Sequence, residues 1–150
     1  MELLYSIQWM QDMNNCELNP KIRLYKSIKN SFGIEPYLYI NVEKYRVAMS
    51  RLRLSSHNLG IEVGRHVRPM VPVDKRLCVE CEGEIDDEVH FLTVCKKYKS
   101  IRKDMLEQVC IGNPLVAQLR GRELFLELLT AQDLDTLVCV GKFVHLCWKS

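Results

Sequence analysis

The stretch that decides the fold reads Cys78-Val-Glu-Cys81-Glu-Gly-Glu-Ile-Asp-Asp-Glu-Val-His90-Phe-Leu-Thr-Val-Cys95. Three cysteines and one histidine stand at C-x2-C-x8-H-x4-C spacing. Sulfur and imidazole nitrogen are the donors of a closed tetrahedral zinc site, and a C-x2-C turn presents two thiolates from one knuckle. Gly83, two residues past Cys81, suits the positive φ that such a turn demands. The other two ligands are expected from a helix that Asp86 caps. Asp87 and Glu88 suit its positive end, and Phe91, Leu92 and Val94 supply apolar contacts. At about 100° per residue, His90 and Cys95 do not share a helical face. Cys95 is therefore expected where the helix ends or unwinds, and His66 is the reserve ligand should His90 face away.

Two other readings compete. Free cysteines are often small buried hydrophobes, but a second pair of ligands at knuckle spacing argues against four unrelated residues. A redox Cys-x-x-Cys wants electropositive surroundings, and Glu80 and Glu82 place negative charge there instead. The expected cofactor is one Zn2+ per chain. Three thiolates around a divalent ion leave the site at −1, and four protein ligands leave no position for an activated water, so the zinc is expected to be structural.

With 150 residues and a 47% hydrophobic fraction, one domain with a sizeable core is expected. It divides into N-terminal helices over 1–76, the knuckle over 77–96 and C-terminal helices over 97–150. The cysteine count is seven, of which the motif claims three. Cys16, Cys110, Cys139 and Cys147 are left as thiols outside it, which points to a reducing compartment, cytoplasmic or nuclear rather than secreted. No apolar run is long enough for a membrane span, and Met1 to Tyr5 lacks the basic start of a signal peptide.

Outside the knuckle the periodicity is helical. Leu3, Ile7 and Met10 predict a helix over 2–13. Asn19-Pro20 is a cap-plus-proline start, followed by Ile22, Tyr25, Ile28 and Phe32 to a C-cap at Gly33. Asn41 is expected to cap a helix over 42–54 with Val42, Tyr45, Met49 and Leu52 inward. Ser56 then opens a short helix that Gly64 ends. Tyr98, Ile101, Met105 and Val109 mark a helix over 97–109. Asn113-Pro114 starts another, which Gly121 breaks before Leu124, Phe125, Leu128 and Leu129. Leu134, Leu137, Val140, Val144, Cys147 and Trp148 mark a last helix, with His145 at its surface or in the core. That helix has no stop signal, so the chain is expected either to be cut from something longer or to pair its end with a partner. Strand-like alternation is scarce. The fold class expected is mostly α, a small helical domain with a zinc knuckle, made of a short β-hairpin plus helix, at its centre.

The net charge of +2 hides segregation. From 44 to 76, Lys44, Arg46, Arg51, Arg53, Arg65, Arg68, Lys75 and Arg76 face only Glu62 and Asp74, a net +6. From 80 to 88 the six acids give −6, and Lys96 and Lys97 follow at once. Basic segments on both sides of a knuckle are the footprint of a phosphate-backbone binder. The bland alternative is that Arg46 and Arg53, which border the apolar stripe of their helix, pair internally with Glu62 or with the acids of the loop. Lys44 and Arg51 lie on an outward line.

The residues from Tyr45 to Arg65, with Ser56-His57-x-Leu59-x-Ile61-Glu62-x-Gly64-Arg65 at their heart, carry a resemblance together with Arg76-Leu-Cys-Val-Glu-Cys81 and Asp87-Glu-Val-His-Phe-Leu-Thr-Val-Cys-Lys-Lys-Tyr98. They resemble the zinc-binding region downstream of reverse transcriptase in non-LTR retrotransposons. The likeness is best over 37–102 and weaker over 20–149. Eight residues separate the second cysteine from the histidine here, against four in the retroviral knuckle. The resemblance implies a nucleic-acid-binding accessory domain that grips RNA or DNA beside a polymerase, with Arg51, Arg53, Arg65, Lys96 and Lys97 as contacts. Charge segregation adds Arg68, Lys75 and Arg76. His57 is read as a hydrogen-bonded structural histidine, with a nucleic-acid contact and a stray ligand as the other readings.

Nothing in the chain supports catalysis. Polymerase chemistry needs paired carboxylates holding Mg2+, and Asp86-Asp87 lies inside the metal loop, where capping is the better reading. The alternative to a nucleic-acid binder is a protein-interaction module with a purely structural zinc, whose partner docks on the apolar C-terminal helix.

Overall fold

Apolar residues at helical spacing become helices along most of the chain in the computed structural model, which describes residues 2–15 and 19–149. The order is α1 (Glu2–Asn14), α2 (Arg23–Ile28), α3 (Glu43–Arg53), α4 (Gly60–His66), α5 (Glu88–Thr93), α6 (Lys99–Gly112), α7 (Gly121–Thr130) and α8 (Leu134–Cys147). Short 3-10 turns lie at Pro20–Ile22, Pro36–Tyr39, Val73–Lys75, Lys96–Tyr98 and Pro114–Gln118. The mostly helical expectation holds. The expected hairpin is not seen. Among the described residues the β pairing is one isolated antiparallel bridge, Leu77 to Ile85. The C-x2-C turn starts immediately after Leu77 and the cap of α5 immediately after Asp86, which leaves no length for strands.

One set of buried apolar side chains runs from Leu24 to Cys147. α8 lies between α3 and α6. Its Leu137, Val140, Phe143 and Val144 are buried together with Met49 and Leu52 of α3 and Met105 and Val109 of α6. Burying each such side chain stabilises the fold by about 1.5–3 kcal/mol. The apolar face of α8 thus belongs to the core, leaving Leu134 and Leu146 about two-fifths exposed (39% and 40%). α5 is only six residues long, yet Phe91 and Leu92 are fully buried. Phe91 meets Tyr98 edge-on at 5.2 Å and Phe143 at 5.4 Å, which anchors the knuckle in the helical core.

Several helix ends differ from expectation. α2 stops at Ile28 because Lys29 is extended, and Phe32 falls outside the helix on the surface. Asn41 and Ser56 make no capping hydrogen bond; the Gly60 N–H at the start of α4 is met instead by the Asp86 carboxylate, at 2.6 Å. Gly64 does not end α4. It is buried inside it, and a Cβ there would lie 2.7 Å from the Arg76 side chain. Gly121 opens α7 rather than breaking a helix. α1 forms as expected, but Leu3, Ile7 and Met10 face outward, and Met13 is the residue of α1 that is buried. No helix of the described residues is long and apolar enough to cross a membrane.

Candidate metal centre

Backbone hydrogen bonds shape the first half of the site. Cys78 N–H donates to Glu84 O at 2.8 Å and Asp86 N–H to Arg76 O at 2.8 Å, closing the loop. Inside it Gly83 takes φ +87° and Glu82 φ +32°, so the turn uses the left-handed region that Gly83 was expected to supply. The second half comes from α5. Its cap is Asp87, not Asp86: the Asp87 carboxylate accepts from His90 N–H at 2.8 Å. Asp86 is drawn one position aside to Gly60, tying the knuckle to α4. Cys95 N–H reaches back five residues to His90 O at 2.9 Å. That wide last turn brings a residue from beyond the helix round to the side of His90, as the five-residue spacing required.

Ligand atoms of Cys78, Cys81, His90 and Cys95 lie within 4.8 Å of one another. The Cys95 sulfur is 3.8 Å from that of Cys78 and 3.9 Å from that of Cys81. A disulfide needs about 2.05 Å. A tetrahedral ion with metal–sulfur bonds of about 2.3 Å puts its sulfurs about 3.8 Å apart. Both ring nitrogens of His90 are buried without a hydrogen-bond partner. Burying such a group unpaired costs about 1–3 kcal/mol, and an ion in the cluster satisfies one of them. Lys96 N–H donates to the Cys81 sulfur at 3.2 Å, the kind of outer contact that orients a thiolate. Burial, together with the Cys78 and Cys81 thiols and against a backbone hydrogen bond at Lys97, pushes the Cys95 thiol up to about 12. A divalent ion displaces such protons by offering the charge that the protein interior withholds. The four side chains could thus hold one metal ion. His66, the reserve ligand, is exposed at the end of α4 and is not in the cluster.

A residue the sequence reading did not single out completes the surroundings. Arg102 of α6 is buried, and its guanidinium donates to the carbonyls of Leu92 at 2.9 Å, Phe91 at 3.2 Å and Cys95 at 2.7 Å. It closes the open carbonyl end of α5 and fixes Cys95. Burial lowers the Arg102 pKa, and negative charge on Cys95, Cys147 or Cys81 opposes that fall. Three thiolates around a divalent ion would leave a net −1 beside it, of the matching sign. The available signal was position: Arg102, Met105 and Val109 share the inward face of α6. Among the other cysteines, Cys110 and Cys139 are free thiols. Burial pushes the Cys147 thiol up to about 12. Cys16 lies outside the described residues.

The opposite end of α5 holds a charge network. Glu88 is buried, accepts from Arg23 at 2.7 and 3.0 Å, and lies 3.1 Å from His57 Nε2. Burial raises its pKa, but the His57 hydrogen bond and the Arg23 charge more than offset it and hold the carboxyl below its ordinary value. His57 Nδ1 accepts from Leu59 N–H at 3.4 Å, so both ring nitrogens are used. His57 is therefore structural, in keeping with the first of the readings given for it.

The eight basic residues expected to contact nucleic acid divide. Arg53 is 4% exposed; it pairs with Glu35 and donates to Leu129 O at 2.7 Å. Arg76 is 8% exposed and donates to Val71 O at 2.9 Å and Ile61 O at 2.6 Å, in the room that Gly64 leaves. A surface contact does not hold for these two, because partners distant in sequence draw them inward. Internal pairing of Arg53 was the bland alternative, though with Glu35 rather than Glu62 or the loop. Arg65 pairs with Glu62. Arg51, Arg68, Lys75, Lys96 and Lys97 are exposed, with no carboxylate of the described residues in ion-pair range.

Compared with protein-family models, with curated proteins and with solved structures, the chain matches none.

Proposed function

We propose that this chain is a nucleic-acid-binding accessory domain built around one structural zinc ion, as its resemblance to the region downstream of retrotransposon reverse transcriptases implies. The observation that carries the reading is the division of cations. Arg51, Arg68, Lys75, Lys96 and Lys97 stay exposed and free of carboxylates while the buried arginines are satisfied internally. Free surface cations release counterions on meeting a phosphate backbone. Three sulfurs and one imidazole favour zinc over the harder divalent ions. A closed set of four protein donors gives that zinc a folding role and no substrate position. The zinc holds the knuckle to the core, and the knuckle presents Lys96 and Lys97.

The test is a mobility-shift assay on the zinc-loaded chain with RNA and with DNA at several salt concentrations. Arg51→Ala, Arg68→Ala, Lys96→Ala and Lys97→Ala together should weaken binding and reduce the log–log salt slope by about 0.7–0.9 per lost contact. Zinc content and helical signal should stay as in the parent. Absence of binding at low salt, or binding indifferent to all four changes, overturns the reading. A protein-interaction module is the second reading. Leu3, Leu4, Tyr5, Ile7 and Met10, all exposed along α1, favour it.

A further inference from the structure

The helices α3 and α8 approach closely: a Cβ at Gly141 would lie 2.9 Å from the Tyr45 carbonyl oxygen. Residues of both helices also line a groove of about 200 Å3. Lys44, Val47, Ala48 and Arg51 line one wall, and His145, Trp148 and Lys149 the other. The spacing is that of one helical face on each side: positions 0, 3, 4 and 7 on α3, and 0, 3 and 4 along α8 and its end. Lys44 and Arg51 are the pair expected on an outward line of their helix; Arg51 was already an expected contact, Lys44 was not.

Three cations share this groove, and none has a carboxylate of the described residues in ion-pair range. Lys44 sits 5.4 Å from the centre of the Tyr45 ring, and Arg51 sits 5.5 Å from that of Trp148. Cations held on ring faces keep most of their N–H groups for another acceptor. The Arg51 Nε–H is taken by Ser56 O at 3.1 Å, which orients the guanidinium. His145 lies edge-on to Tyr45 at 5.7 Å. Burial and the positive charges of Lys149 and Lys44 lower its pKa, so at neutral pH it stands as an uncharged ring.

We infer that the α3–α8 groove seats one nucleotide of a single strand, its phosphate on Lys44, Arg51 and Lys149 and its base against His145, beside a Trp148 ring that Phe91 backs from the core and Arg51 covers. Cations beside aromatic rings are the pairing that single-strand binders use, with stacking that tolerates any base. An acidic peptide would use the cations and leave the rings idle. A duplex keeps its bases stacked inside, where a cleft of this size cannot reach them. This inference rests on the nucleic-acid reading above and adds to it a strand type and a seat away from the knuckle.

Trp148 fluorescence tests it, in the zinc-loaded full chain with Trp9→Phe to remove the other indole. A ten-residue oligouridylate should quench Trp148, and a blunt duplex of equal charge should not. Lys44→Ala with Lys149→Ala should weaken the oligouridylate at least tenfold and lower its salt slope by about 1.4, two contacts' worth. Zinc content should not change. If the parent binds nucleic acid but the double variant binds oligouridylate equally well, the groove is overturned and the broader reading stands. If an oligoglutamate quenches Trp148 as strongly at the same salt, the seat belongs to an acidic peptide and the inference fails. If no nucleic acid binds at low salt, both fail together.

Discussion

The two ends of α5 hold two polar clusters of different origin. At its C-terminal end Cys78, Cys81, His90 and Cys95 converge from within one short stretch of chain. At its N-terminal end Glu88 meets Arg23 and His57, from 65 and 31 residues away. The first is a local cluster in which no protein group partners either imidazole nitrogen of His90 and a cysteine thiol is pushed up to about 12. The second is complete as it stands, with the carboxylate satisfied and its pKa held down. A cluster whose parts are all satisfied by protein is architecture. A buried cluster left unsatisfied at ligand spacing is a site.

The largest expected effect breaks the first cluster. His90→Ala or Cys95→Ser should abolish stoichiometric zinc and unfold the knuckle, read as lost helical signal and early thermal unfolding. Structural zinc contributes roughly 10–16 kcal/mol in small peptides. Even part of that rivals the roughly 5–15 kcal/mol stability of a whole domain. Chelation of the parent should have the same effect, reversed by added zinc.

Breaking the second cluster should cost less and leave zinc in place. Glu88→Ala leaves the buried His57 ring nitrogen without its partner, at about 1–3 kcal/mol in denaturant unfolding. Arg23 is half in solvent, so its loss alone should cost much less. Because the folded pKa of Glu88 lies below its unfolded value, its stabilisation is full above roughly pH 4.3 and fades as pH falls through the folded pKa. Glu88→Gln should flatten that acid limb.

A third effect tests the join between knuckle and α4. Gly64→Ala places a methyl group against the Arg76 side chain, which two carbonyls hold still. Overpacking of this kind costs about 1–3 kcal/mol. Thermal unfolding should register it with zinc stoichiometry unchanged.

These contrasts explain what the sequence could tell. The metal cluster was legible because its ligands lie close in sequence and the helical repeat alone forces Cys95 past the end of α5. The inward faces of α6, α7 and α8 were legible from periodicity. Arg53 and Arg76 were not, because a positive charge in a sequence carries no sign of its partner; Glu35, Leu129 and Ile61 become neighbours only through the fold. Gly64 looked like a helix stop because its true reason, the Arg76 side chain, is 12 positions further on. Asp86 and Asp87 were both credible caps, and only the approach of Gly60 decides between them.

The central claim is that a zinc ion joins the two halves of the knuckle. Metal analysis of the chain purified without chelators, beside the His90→Ala variant, tests it most directly. The account predicts one zinc per parent chain and none held stoichiometrically by the variant. A parent chain without zinc, or a variant that keeps it, would contradict the account.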